Sequence, residues 1–262
     1  MVKDILKKGY VFVIYLFLYA PIIILIVYSF NESKSRAHWT GVTLKWYGEL
    51  LRDRYILNAL YNTVSIALLS ALLATIIGTA AAIGIYNMHK YPKMVLMNIT
   101  YLPVLNPDIV TGIALMLLFI FCRLPLGYLS LLLAHITFNI PYVILSVLPK
   151  LKQLNNFTFE AALDLGATPL YAYRKIILPQ IKPGIITGFL LAFTLSVDDF
   201  VISFFTTGSG VSNVAITIYS MARRGINPEI NALLSIMFVS VLILLLIINK
   251  RLSKENTKGI NF

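Results

Sequence analysis

Charge is what this chain lacks most. Of its 262 residues only 13% are Asp, Glu, Lys or Arg, against about 25% in a soluble domain. Mean hydropathy is +0.82. So little polar surface cannot face water on all sides, which excludes a soluble enzyme or a soluble binding module. Cysteine is nearly absent. A lone Cys122 rules out an intrachain disulfide or a cysteine metal cluster, and we expect it to pack as a small apolar residue. The histidines His38, His89 and His135 are too scattered to mark a metal site. His135 falls inside an apolar stretch, where a hydrogen-bonded structural role is expected. There is no G-x-x-x-x-G-K-[ST] phosphate cradle, no G-x-S-x-G and no H-E-x-x-H. Internal repeats and low-complexity tracts are absent as well.

What is present is apolar length. A membrane helix needs about 20 mainly apolar residues, and six stretches qualify, at about 10–30, 60–86, 98–122, 125–148, 184–206 and 231–249. No segment between them is long enough to bury a separate soluble core. The first stretch follows Lys3, Lys7 and Lys8 but exceeds a signal-peptide apolar run and lacks a small-x-small cleavage site, so we read it as a retained anchor.

Six spans place both termini on one side, and the distribution of positive charge chooses which. The segments sharing a side with the termini carry Lys3, Lys7, Lys8, Lys90, Lys93, Lys150, Lys152, Arg174, Lys175, Lys182, Lys250, Arg251, Lys254 and Lys258, with few acids among them. Both termini are therefore expected in the cytoplasm. The formal charge of +11 reads as topology in a lipid bilayer; no nucleic-acid partner is expected.

Three connections exceed a turn. In the first outer loop, Leu44, Tyr47, Leu50 and Leu51 follow a helical period, predicting a short interfacial helix with Trp39 and Trp46 at headgroup level. The outer loop at about 207–230 contains a run from Ile216 to Met221 that suits a short helix. The inner loop, about 150–183, is richer. Asn156 or Thr158 is placed to cap a helix with Glu160 in its first turn, Gly166 to stop it, and Pro169 to start a second helix that Pro179 ends. Phe159, Ala162, Leu163 and Leu165 are more apolar than a solvated loop requires. As pattern, the two helices either pack under the bundle or form a docking knob for a cytoplasmic partner, and both readings stand.

This inner segment resembles the cytoplasmic signature of binding-protein-dependent ABC importer permeases: E-A-A, three residues, G, nine residues, I-x-L-P. Here it reads Glu160-Ala161-Ala162, Gly166, then Ile176-Ile177-Leu178-Pro179. The resemblance implies that Glu160, Ala161, Ala162 and Gly166 form the element that docks on an ATP-hydrolysing subunit. Further stretches are similar to permeases of spermidine/putrescine importers: Thr194-Leu195-Ser196-Val197-Asp198-Asp199-Phe200, Ile218-Tyr219-Ser220-Met221, Gly225-Ile226-Asn227-Pro228-Glu229-Ile230-Asn231-Ala232, Lys45-Trp46-Tyr47 and Asn62-Thr63. That likeness implies an all-α polytopic membrane protein with six transmembrane helices and the type I ABC importer permease (MetI-like) fold, as one domain over 1–262. It implies a non-catalytic subunit without a cofactor of its own. Its partners would be a second homologous permease, two ATPase subunits that bind ATP and magnesium, and an extracytoplasmic polyamine-binding protein.

Independently of resemblance, three acids lie within predicted spans: Asp108, Asp198 and Asp199. Each costs at least about 2.5–3.5 kcal/mol at the bilayer centre, and no Lys or Arg lies in the core of a span to pair with them. They are protonated, or neutralise a neighbouring subunit, or line a wet path for a cationic solute. Asp108 follows Asn106-Pro107, where proline interrupts helical bonding. Adjacent Asp198 and Asp199 project about 100° apart on a helix, so one of them is expected to bond structurally, and we assign that part to Asp199. The candidate substrate-path residues are Asp108, Asp198 and Asp199, with at least one of Asp108 and Asp198 expected to contact the substrate, and Tyr219 and Trp46 are weaker candidates. Small residues Gly78, Ala80, Ala82 and Gly84 predict close helix packing. Two rival functions remain at this stage: an ABC permease for another small solute, and a stand-alone secondary cation transporter or channel.

Overall fold

A computed structural model describes residues 2–34, 38–155, 157–224 and 228–258. Asn156, and residues 225–227 of one polyamine-type motif, lie outside them. The described chain is almost entirely helical, with a single isolated bridge between Asn31 and Val42. The helices are α1 (Val2–Tyr28), α2 (Lys45–Leu50), α3 (Arg54–Asn87), α4 (Lys90–Leu105), α5 (Asp108–Phe121), α6 (Tyr128–Gln153), α7 (Thr158–Asp164), α8 (Pro169–Ala172), α9 (Leu178–Asp198), α10 (Val201–Thr206), α11 (Val214–Arg224) and α12 (Pro228–Lys258).

Among the described residues, four runs are long and apolar enough to cross a membrane: Lys7–Tyr28, Arg54–Asn87, Tyr128–Gln153 and Pro169–Asp198. The predicted third span is two helices, α4 and α5, bent by 107° at Asn106-Pro107. Pro107 has no N–H to continue the ladder and biases Asn106 to extended backbone, φ −75 and ψ 145. The predicted fifth span also breaks. Its helix ends at Asp198, Asp199 is extended at φ −62 and ψ 123, and α10 starts afresh. Hydropathy does not register such breaks, because the residues on either side are equally apolar. Of the predicted sixth span, 231–249, the side chains beyond Ile243 lie outside those described, and Pro228–Ile243 is its described apolar part.

The chain divides into two compact units, Met1–Leu57 with Ile218–Phe262, and Asn58–Thr217. In the first, α12 packs on α1 and α2. Trp46 and Leu50 face inward at 1% exposure, while Leu44 and Leu51 point out. The indole N–H of Trp46 donates to the Asn31 carbonyl at 2.7 Å, so Trp46 is a buried clasp on the loop before α2.

The second unit is built around α6, which packs along α9. Val143 of α6, fully buried, sits between two glycines. A Cβ on Gly78 of α3 would lie 2.8 Å from its Cβ, and one on Gly188 of α9 would lie 3.2 Å from its Cα. The small-residue stripe Gly78/Ala82 therefore serves packing within this chain, whereas Ala80 and Gly84 are exposed. Deeper polar contacts cross the same three helices: Ser70 and Ser196 share a hydrogen bond of 3.1 Å, and Asn139 donates to Ser196 at 2.8 Å. In lipid such bonds contribute about 0.6–2 kcal/mol each. Gly78→Ala should destabilise the purified protein by about 1–3 kcal/mol through overpacking. Gly84→Ala, whose Cβ meets nothing within 4 Å, should be neutral or stabilising by up to about 1 kcal/mol. Thermal unfolding in detergent separates the two, and equal melting of both variants would refute the packing argument.

Candidate functional site: an acidic cavity and the E-A-A knob

Asp108, Asp198 and Asp199 come from three helix ends and meet at one cavity of about 300 Å³, lined also by Phe138, Tyr142, Leu195, Phe200, Val201 and Ile202. The backbone breaks put them there. Asp108 is the first residue of α5, Asp198 the last of α9, and Asp199 the extended residue before α10. Sequence periodicity alone missed the aromatic lining. Phe138 and Tyr142 stand four residues apart on α6 with rings 6.5 Å apart, edge to face, and His135 continues the row at 5.4 Å from Phe138. Their spacing of three and four residues was the available signal.

The acids are not equivalent. Asp199 is consumed by its own chain: its carboxylate accepts from the backbone N–H of Ile202 at 3.2 Å, the N–H of Ser203 at 2.7 Å and the Ser203 hydroxyl at 2.7 Å. It thereby satisfies the orphan donors that open α10, the structural part expected of it. Asp108 lies in the first turn of α5, where the positive end of the helix dipole favours a carboxylate. Asp198 has the opposite setting. It ends the 21-residue α9, at the negative end of that helix's dipole. A carboxylate and a helix C-terminus together form a locus that attracts a cation. Asp108 and Asp198 are both exposed to the cavity.

Trp46 and Tyr219 belong to the other compact unit. Trp46 is the buried clasp described above, and Tyr219 is partly exposed with the Arg223 guanidinium 5.8 Å from its ring centre. His135 bonds to Ser203 through Nε2 at 3.0 Å, the structural role expected of it. Cys122 is exposed rather than packed.

The E-A-A segment forms a knob on the surface of the Asn58–Thr217 unit. Helix α7 starts at Thr158 without a side-chain cap, and Asn155 instead accepts from the N–H of Phe157 at 3.0 Å. At its end, Gly166 takes φ +86; the Ala167 N–H reaches back to Ala162 and the Gly166 N–H to Leu163. This paired closure needs a left-handed residue, which glycine supplies without strain. Thr168 caps α8 through the N–H of Tyr171, with Pro169 at its first position. Glu160, Ala161 and Gly166 face outward, while Ala162 is buried beneath them. A groove of about 480 Å³ runs along Ala162, Leu165, Gly166, Ala167, Thr168 and Tyr171. Leu165 is 90% and Leu170 77% exposed.

Contrary to expectation, Pro179 does not end the second helix. Residues Tyr173–Ile177 form a π-helical turn, the N–H of Leu178 reaches the carbonyl of Tyr173, and the helix continues through Pro179 and Pro183. A widened turn relieves the clash of a proline ring with the carbonyl four residues earlier. The run Pro169–Asp198 is thus one helical path of 30 residues. It begins at the knob and ends at Asp198.

Residues 74–257 match the family model described as binding-protein-dependent transport system inner membrane component. The chain is 40% identical over 259 residues to the spermidine/putrescine transport system permease protein PotC of Escherichia coli (strain K12), covering 99% of this chain and 98% of that protein. It is 42% identical over 233 residues to the putrescine transport system permease protein PotI of the same strain, covering 86% and 83%. Among solved structures, a chain of a bacterial ABC transporter involved in the import of alginate superposes with TM-score 0.71 at 18% identity, covering 97% of this chain and 98% of that one. A chain of the MetNI methionine ABC transporter gives TM-score 0.62 at 16% identity, covering 82% and 99%. The fold is that of an ABC importer permease, set in the bacterial inner membrane as a multi-pass protein. With the E-A-A knob, the apolar helices and the matched span agreeing, the chain belongs to the family of binding-protein-dependent transport system inner membrane components.

Proposed function

We propose that this chain is the permease subunit of an ATP-driven importer of spermidine and putrescine. The observation that carries the substrate is the cavity where Asp108 and Asp198 meet the rings of Phe138, Tyr142 and Phe200. A polyamine presents ammonium groups joined by methylene spacers. Carboxylates pair with the ammonium groups, and aromatic faces attract them while covering the spacers. Full-length similarity to polyamine permeases supports the same reading.

The chain performs no covalent chemistry in this proposal. A second homologous permease completes the path, two ATPase subunits bind ATP and magnesium, and an extracytoplasmic binding protein delivers the polyamine. Both termini and the E-A-A knob lie in the cytoplasm. Closure of the ATPase pair draws the knobs together, and the path Pro169–Asp198, about 45 Å at 1.5 Å per residue, carries that displacement to the acid at its far end. The bundle is then a two-state element biased from the cytoplasmic face.

The test is uptake of labelled spermidine by the complete complex in proteoliposomes. Uptake should require ATP, the ATPase subunits and the binding protein, and unlabelled putrescine should compete. Uptake by this chain alone without ATP would replace the proposal with a secondary transporter. ATP-dependent uptake of another solute with none of polyamine would retain the ABC class and discard the substrate.

A further inference from the structure

We infer that Asn213 is a positioning residue for transport, tying the segment that follows α10 to the α9–α10 break so that this segment and Asp198 move together. The inference rests on the polyamine reading of the cavity.

Asn213 is 3% exposed and sits at the end of the non-helical stretch between α10 and α11. Its side chain makes three bonds in two directions. The amide nitrogen donates to the Ser203 hydroxyl at 2.8 Å and to the Asp199 carbonyl at 3.3 Å. The amide oxygen accepts from the N–H of Ile216 at 2.9 Å, capping α11. One side chain therefore fastens the start of α11 to the Asp199 carbonyl, one residue beyond Asp198.

The hydroxyl of Ser203 is the hub. It has one proton, directed to the Asp199 carboxylate at 2.7 Å, and two lone pairs. Asn213 fills one, and His135 Nε2 at 3.0 Å fills the other. His135 therefore carries its proton on Nε2, and its Nδ1 is the atom of this knot without a partner. Ser203 is 0% and His135 1% exposed, so water does not compete for these bonds. The backbone around Asp199 is thus gripped twice, through its carboxylate from α10 and through its carbonyl from Asn213.

The same segment is sewn to α3. Asn62 donates to the Ser212 carbonyl at 3.0 Å, and the N–H of Val214 donates to the Thr63 hydroxyl at 2.8 Å. Residues 212–214 consequently bridge the beginning of α3 and the acid-bearing break. Any shift of this segment pulls on the Asp199 backbone, the residue next to Asp198. In the proposed topology this is an external loop, which makes it the place where events outside the membrane reach the cavity.

The variants Asn213→Ala, Asn213→Asp and Ser203→Ala, with Asp198→Asn as reference, test this in the complete complex in proteoliposomes, with spermidine as probe. Asn213→Asp is the discriminating change, since it keeps the oxygen that caps α11 but loses the donor to Ser203 and Asp199. Spermidine taken up per ATP hydrolysed should fall about 10-fold in all three, the scale of a lost hydrogen bond in a charged network. ATP hydrolysis stimulated by loaded binding protein should persist. A purely structural role would lower both activities in proportion to the protein present and leave their ratio unchanged. Wild-type ratios in Asn213→Asp and Ser203→Ala, with Asp198→Asn defective, would overturn this inference and leave the cavity reading intact. An unaffected Asp198→Asn would remove the cavity reading and the inference with it. Should the Asn213 variants fail to accumulate in the membrane, the ratio in Ser203→Ala decides, and loss of all three would assign the knot to folding and overturn the proposal.

Discussion

Asp198→Asn should cut polyamine uptake roughly 10–100-fold, the range spanned by one charge-assisted hydrogen bond, with the complex assembled and its ATPase subunits bound. The three acids differ in how far the chain already compensates each. Asp199 accepts three hydrogen bonds from its own chain. Asp108 stands at a helix N-terminus, whereas Asp198 stands at a C-terminus, where a negative charge is least welcome. Removing the charge at Asp198 relieves the empty protein and penalises only the cation-bound state, so assembly should be unchanged or improved. Asp199→Asn should behave differently. An amide retains one acceptor oxygen where a carboxylate uses two, so the α10 cap and the Ser203 bond fail together, and the amount of folded chain should drop. Asp108→Asn should reduce uptake less than Asp198→Asn, because the dipole of α5 shares the work of fixing that carboxylate. Uptake kinetics on membranes normalised for the chain measure all three. If Asp198→Asn transports normally while Asp199→Asn is normally abundant, the ranking of the acids is wrong.

The contrast between these acids explains how much was legible beforehand. Apolar length located the helical runs, and Glu160, Gly166 and Pro169 marked the knob, because capping and stop signals act within a few residues and leave a local imprint. The acids were conspicuous for a similar reason: a carboxylate in an apolar run is costly wherever it points. Their division of labour was only partly readable. It depends on the break at Asp199, which hydropathy smooths over, and on Ser203 and Asn213, ordinary polar residues until the fold brings them to one carboxylate. Pro179 misled in the other direction. Proline ends an isolated α-helix, but the π-turn over Tyr173–Ile177 absorbs its ring, and a compensation of that kind leaves no compositional mark. Trp46 shows the same gap. Its interfacial residue type was clear, yet only the position of the Asn31 carbonyl reveals that its indole is buried and bonded.

At the other end of the Pro169–Asp198 path, Leu165→Asp should release the ATPase subunits. Leu165 is 90% exposed, so its own fold gains little from it and the variant should insert and melt like the parent. A leucine side chain buried in a partner contributes about 1.5–3 kcal/mol, and a carboxylate there adds a desolvation cost. Recovery of ATPase subunits with the tagged chain should fall about 10–100-fold, with uptake falling in step. Gly166→Val approaches the same surface through the backbone. At φ +86 a β-branched residue is strained by at least about 1–2 kcal/mol, so the paired closure onto Ala162 and Leu163 should open and redirect the groove without adding charge. Agreement between a polar change and a conformational one would locate docking in the shape of the knob as well as its apolarity. Undiminished recovery of ATPase with both variants would show that the knob is packing surface and nothing more. The two ends of the path then separate cleanly: knob variants lose ATPase and transport together, whereas Asp198→Asn keeps ATP hydrolysis and loses the cargo.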